Sequence, residues 1–144
     1  PDRVKLVIRP HPDESKDEYE RILREERFTR AAITRDIPLY TLLNASDIVF
    51  TGLSTVGSEA VLFNKPLICI NLTETAYSVR YDEEGVALLV EKEADILPAI
   101  ETVLHNRKVR HQLEAARKRF QTLYTVKLDG RSSSRFVDAI RLLL

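Results

Sequence analysis

The sequence predicts a parallel, doubly wound α/β fold, and three observations predict it. Short apolar runs alternate with helix-periodic segments through residue 104. Nearly all of these runs are continuously apolar, the pattern of strands covered by helices on both sheet faces. Hydrophobic residues make up 44% and charged residues 31% of the 144, with four glycines and six prolines. That is the balance of one folded domain with a proper core, not of a disordered tail.

Each element follows from local chemistry. "VKLVI" (4 to 8) is a β-branched strand that stops at "RPHPDES", and "KDEYERILREER" spaces Tyr19, Ile22 and Leu23 as one helix face. "AAIT" (31 to 34) is a short strand, "IPLYTLLNAS" (37 to 46) a short helix and "DIVFT" (47 to 51) a buried strand. A helix over 56 to 63 carries Val56, Ala60, Val61, Leu62 and Phe63, whose side chains cover most of its circumference. "KPLICINL" (65 to 72) and "VALLVE" (86 to 91) are further strands, and helices follow at 93 to 104, 107 to 121 and 133 to 144. In the helix from 107, Val109, Leu113, Ala116 and Phe120 form the core-facing stripe, leaving Arg110, Arg117 and Lys118 solvated.

Composition then limits function. No stretch approaches the roughly 18 apolar residues of a membrane span. The N-terminus has no signal-peptide hydrophobic region, and the chain contains no Met, so it reads as a piece of a longer protein. The single cysteine, Cys69, reads as a buried strand residue; with no internal disulfide available, a reducing cytoplasm is the expected setting. His11, His105 and His111 have no zinc-like spacing, and no Ser-His-Asp or G-x-S-x-G arrangement occurs, so neither a metal nor a hydrolase triad is expected. Net charge is zero, yet residues 1 to 104 hold 12 Lys/Arg against 19 Asp/Glu while residues 105 to 144 hold 10 against 3. The basic C-terminal quarter raises contact with a polyanion or a membrane surface. A nucleic-acid partner is not expected, because no aromatic-rich strand accompanies the basic helix.

In open parallel sheets, ligands sit at the carboxyl ends of the strands, in loops that lead into helix N-termini. "TGLSTVGSEA" (51 to 60), with Gly52 in it, is such a loop. Ser54 and Thr55 can cap the following helix, whose free N–H groups and dipole favour a phosphate. Glu59 lies four residues after Thr55, on the same face and one turn deeper, where a carboxylate can accept hydrogen bonds from the two hydroxyls of a ribose. On the alternative reading, Ser54 and Thr55 only cap the helix and Glu59 complements its dipole or pairs with Lys65. "RPHPDES" sets His11 between two prolines that restrict its backbone, on the same sheet edge by the same topology rule, with Arg9 adding charge. Its imidazole can hydrogen-bond a phosphate or a transferring group; the alternative is a partly buried histidine in a rigid turn. A third loop, "NLTETAYSVRYDEEG", brings Thr73, Glu74 and Thr75 to that edge, where they can touch a base or sugar.

"VIRPHPDES", "ASDIVFTGLSTVGSEAVLFNKPLICIN" and "LDGRSSSRFVDAI" resemble, in order and spacing, the C-terminal domain of GT-B-fold glycosyltransferases of bacterial surface-polysaccharide synthesis. The capsule-polysaccharide and CDP-glycerol glycerophosphotransferase-like groups resemble it most, with the UDP-N-acetylglucosamine 2-epimerases as relatives. The resemblance implies a Rossmann-like C-terminal half of a GT-B fold: residues 1–144 as a single nucleotide-donor-binding domain, with the N-terminal acceptor domain missing. It places the His-Pro histidine at His11, phosphate-binding hydroxyls at Ser54 and Thr55, and the ribose-binding acid at Glu59. Gly130 and Ser132 to Ser134 fall at the start of the last helix.

The expected function is binding of a CDP-, UDP- or CMP-linked donor for glycosyl or polyol-phosphate transfer. His11 would be the catalytic residue, and Arg9, Gly52, Ser54, Thr55, Glu59, Thr73 and Glu74 would contact the nucleotide. The donor is a substrate, so no cofactor is expected, and half a cleft should not catalyse transfer. The expected location is cytoplasmic with a peripheral membrane contact. The alternatives are half of an epimerase-like enzyme and a non-catalytic nucleotide-binding module.

Overall fold

The computed structural model describes residues 4–52, 54–73, 79–124 and 129–143. It is a mixed α/β chain in which parallel strands alternate with helices, a Rossmann-like arrangement. The chain divides into two compact units, Pro1–Leu42 and Leu43–Leu144.

In the first unit, β1 (Leu6–Ile8) runs parallel to β2 (Ala31–Ile33), Leu6 opposite Ala31 and Ile8 opposite Ile33, with α1 (Lys16–Glu25) between them in sequence. Asp17 and Glu18 in the first turn of α1 and Arg24 in the last suit its dipole. The helix stops where Arg27 takes a left-handed φ of 51° and Phe28 N–H bonds back to Leu23 O at 2.9 Å. Leu6 and Val7 are exposed. Coverage of both sheet faces, expected from the apolar runs, therefore fails within this unit, because α1 alone cannot cover two faces of a two-stranded sheet.

The helix α2 (Leu39–Ala45) carries the division between the units, and β3 (Val49–Thr51), β4 (Leu67–Ile70) and β5 (Ala87–Val90) form a parallel sheet in that order. Val49 pairs with Leu67 and Leu67 with Ala87. Alternation sends Ile68 to one face and Leu67 and Cys69 to the other, and all three are buried, so both faces of β4 are covered here. On the Ile68 side, Val90, Ala99, Val103 and Leu113 close the core. These last three come from α4 (Ile96–His105) and α5 (Arg107–Tyr124). Asn106 starts α5 by accepting the Val109 N–H on Oδ1 at 3.1 Å. Burial pushes the Cys69 thiol up to about 12, with Asp82 adding to the shift, which suits an inert core residue.

The helix α3 (Val56–Leu62) follows β3 and ends at Asn64, whose φ is 55°, with Lys65 N–H bonded to Ala60 O at 2.9 Å. Arg117, expected in solvent, is 6% exposed instead. Its Nε donates to Asn64 Oδ1 at 2.9 Å, and Gln121 Nε2 donates to Val61 O at 2.8 Å. Gln121 from α5 thus satisfies a carbonyl at the C-terminal end of α3, and the Arg117 cation, tied to the Asn64 side chain just beyond it, suits the negative end of the helix dipole. Burial pulls the Arg117 pKa down from the ordinary guanidinium value. The last helix, α6 (Ser132–Arg141), starts from Gly130 at φ 70° and from Asp129, which accepts the Arg131 N–H at 3.0 Å and Arg135 Nη1 at 2.9 Å. Those bonds hold the Asp129 carboxyl below its usual value. Among the described residues, no helix is long and apolar enough to cross a membrane.

Candidate functional site

The sequence-predicted residues fall into two groups, one in each unit. Arg9 and His11 share the turn after β1; Gly52, Ser54, Thr55 and Glu59 occupy the exit of β3 and the first turns of α3. Thr73 is exposed beyond β4. Glu74 and Thr75 lie outside the described residues.

The turn after β1 begins at Pro10, which is buried, and carries His11 outward with its side chain 62% exposed. A partly buried histidine is therefore not what the turn holds. The backbone is closed by Glu14 N–H to His11 O at 3.0 Å, and Glu14 Oε2 accepts the His11 N–H at 2.7 Å. That hydrogen bond, then one involving Tyr19, holds the Glu14 carboxyl below its usual range. Imidazole Nδ1 accepts the Asp13 N–H at 3.3 Å and lies 3.4 Å from Asp13 Oδ2. When Nδ1 accepts the Asp13 N–H, the neutral ring carries its proton on Nε2, and the ring stands largely in solvent. Arg9 spends Nη1 on Arg35 O at 3.1 Å and Ile37 O at 2.7 Å, so it braces the next loop besides adding charge.

The loop after β3 differs from expectation at the helix start. Thr55 sits in the helical region at φ −62° and makes no side-chain cap; Ser54 supplies it, its Oγ accepting the Val56 N–H at 3.2 Å. Gly57 N–H bonds to Ser54 O at 3.2 Å. Ser58 N–H meets Tyr81 Oη at 3.0 Å, with Ser58 Oγ 2.9 Å from the same oxygen. The N–H groups of Val56, Gly57 and Ser58, expected to be open to an anion, thus have partners within the protein. Tyr81 had no role in the sequence reading because its contact spans 23 residues. It is buried, and its ring lies against Gly57. Thr55 remains exposed and Glu59 half-buried one turn below. Lys65, one candidate partner of Glu59, donates to Asn44 O at 2.7 Å. Among the described residues, a Cβ added at Gly52 would meet Ile70 O at an ordinary 3.8 Å.

The family described as capsule polysaccharide biosynthesis protein matches residues 1–87, more than half of the chain. The chain belongs to this family. Neither the curated proteins nor the solved structures contain a match. The matched segment holds the His11 turn, the Ser54 to Glu59 loop and Tyr81, whereas α4, α5 and α6 lie beyond it. A role in surface-polysaccharide synthesis therefore attaches to the part of the chain that carries both loops.

Proposed function

We propose that this chain binds a nucleotide-activated donor, CDP-, UDP- or CMP-linked, as the C-terminal half of a GT-B-type transferase of sugar or polyol phosphate. The observation that carries the reading is the His11 turn: an exposed imidazole in the family-matched segment, with Nδ1 engaged by Asp13. An Nε2–H donor suits a phosphate oxygen or the oxyanion of a departing phosphate. With the N–H groups of Val56, Gly57 and Ser58 already partnered within the second unit, His11 in the first is the candidate donor to phosphate. Glu59 is the candidate acceptor for ribose hydroxyls.

As a half of a larger cleft, the chain alone does not transfer, because donor and acceptor must both be positioned. On this reading a second, acceptor-binding half supplies the acceptor, and the work takes place in the cytoplasm beside the membrane.

Calorimetric titration with CMP, CDP, UDP and an ADP control tests the reading. Weak binding of at least one pyrimidine nucleotide is expected, and no heat from any of them at millimolar concentration contradicts it. Glu59→Ala should weaken binding by roughly tenfold, the worth of one or two hydrogen bonds, without loss of fold. A loss of about 1 to 3 kcal/mol of stability with affinity unchanged would instead make Glu59 a structural group.

A further inference from the structure

A ring that is mostly in solvent is not oriented by packing; something must hold the turn beneath it. The loop after β2 does so. Arg35 Nη2 donates to His11 O at 3.0 Å and also to Glu14 O, the two carbonyls at either end of the turn. Arg9, leaving β1, grips that loop in return through Arg35 O and Ile37 O. The two loops adjoin because their strands pair in parallel, Ile8 beside Ile33, so their carboxyl ends lie together. A hydrogen bond to a charged donor is the stronger kind, and one guanidinium bridging two carbonyls fixes their separation as well as their direction.

We propose that Arg35 is the positioning residue for His11, holding the turn in the one shape in which Asp13 N–H can reach Nδ1 and Nε2–H is presented to an oxyanion. The ligand part rests on the reading that His11 donates to a phosphate. Arg35 itself spends Nη2 on the turn, so its effect on a phosphate ligand passes through His11. This separates it from an arginine that binds the anion directly. Arg35 had no role in the sequence reading; the signal available was its place directly after the strand expected at 31 to 34.

The test is a double-mutant cycle on the 144-residue chain, reading the ratio of CMP to cytidine affinity, together with long-range proton–nitrogen NMR spectra of the unliganded protein. Arg35→Gln should reduce the CMP preference by about three- to tenfold and leave cytidine unchanged, the loss expected from one misplaced charge-assisted hydrogen bond. In a His11→Ala background the same change should cost less than about twofold, since nothing remains to be positioned. Equal losses in both backgrounds would make Arg35 a direct anion ligand and overturn the proposal. In the unliganded spectra, wild-type His11 should show protonated Nε2 and unprotonated Nδ1, and Arg35→Gln should move both nitrogens toward the mixed values of free imidazole. Identical His11 nitrogen shifts in the two proteins would also overturn it. If wild-type protein binds no CMP, the phosphate reading falls and the nitrogen shifts alone decide whether Arg35 places the ring.

Discussion

In a protein that carries both halves of the proposed cleft, His11→Ala is expected to lower donor turnover by about 100-fold while moving the melting temperature by no more than about 2 °C. The first number is the usual loss on removing one preorganised donor to developing negative charge. The second follows from the turn. The imidazole is exposed and makes two long contacts, to Asp13 N–H and to Asp13 Oδ2, whereas the backbone is closed by Glu14 and Arg35 through atoms that alanine keeps. His11→Gln, which retains an N–H donor on a side chain of different reach, should recover part of the rate. Paired measurement of turnover and thermal unfolding checks this. Turnover within about twofold of wild type, less than 0.5 kcal/mol of barrier, would leave His11 without a chemical role.

Gly57→Ala is expected to destabilise the second unit by about 1 to 3 kcal/mol, although alanine is the better helix former. A Cβ at Gly57 would lie 2.5 Å from Tyr81 Cε2 and 2.6 Å from Cζ. The ring has little room to retreat: Tyr81 is buried, with Phe120 at 6.4 Å between centroids and Phe120 in turn stacked on Tyr124 at 4.3 Å. Moving it would also pull its hydroxyl from Ser58 and the Ser54 carbonyl. The gain in helix propensity, at most about 1 kcal/mol and smaller in a first turn, does not offset that strain. Urea unfolding should show the loss, and the loss should shrink in a Tyr81→Ala background, where the clashing atoms are gone. An increase in stability on Gly57→Ala would show that the ring yields freely.

The order of elements was legible because it is written locally. β-branched runs such as "LVI" and "LICI" and the helix periods of α1 and α5 need no distant partner to be recognised, and the observed strands are shorter than expected only at their ends. The helix read over 56 to 63 is observed as Val56–Leu62. What stayed hidden depends on long-range contact. Arg117 lies at the flank of the α5 stripe, where period alone gives a solvated charge; its partner Asn64 is 53 residues away. The Tyr81 hydroxyl, which fills the start of α3, comes from a loop read as ligand-facing. The Ser54 loop was recognised, but the occupant of its N–H groups was not. At the His-Pro turn the prolines showed a held backbone, yet not which atoms hold it.

The measurement that bears most directly on the account is the His11 Nε2 resonance of the isotope-labelled chain during titration with CMP and, separately, with cytidine. If the imidazole donates to the phosphate of a nucleotide, CMP shifts Nε2 and its proton in a saturable way at millimolar or lower concentration, and cytidine, which has the base and ribose but no phosphate, does not. A His11 signal that stays in place at saturating CMP, or that moves equally with cytidine, contradicts the account.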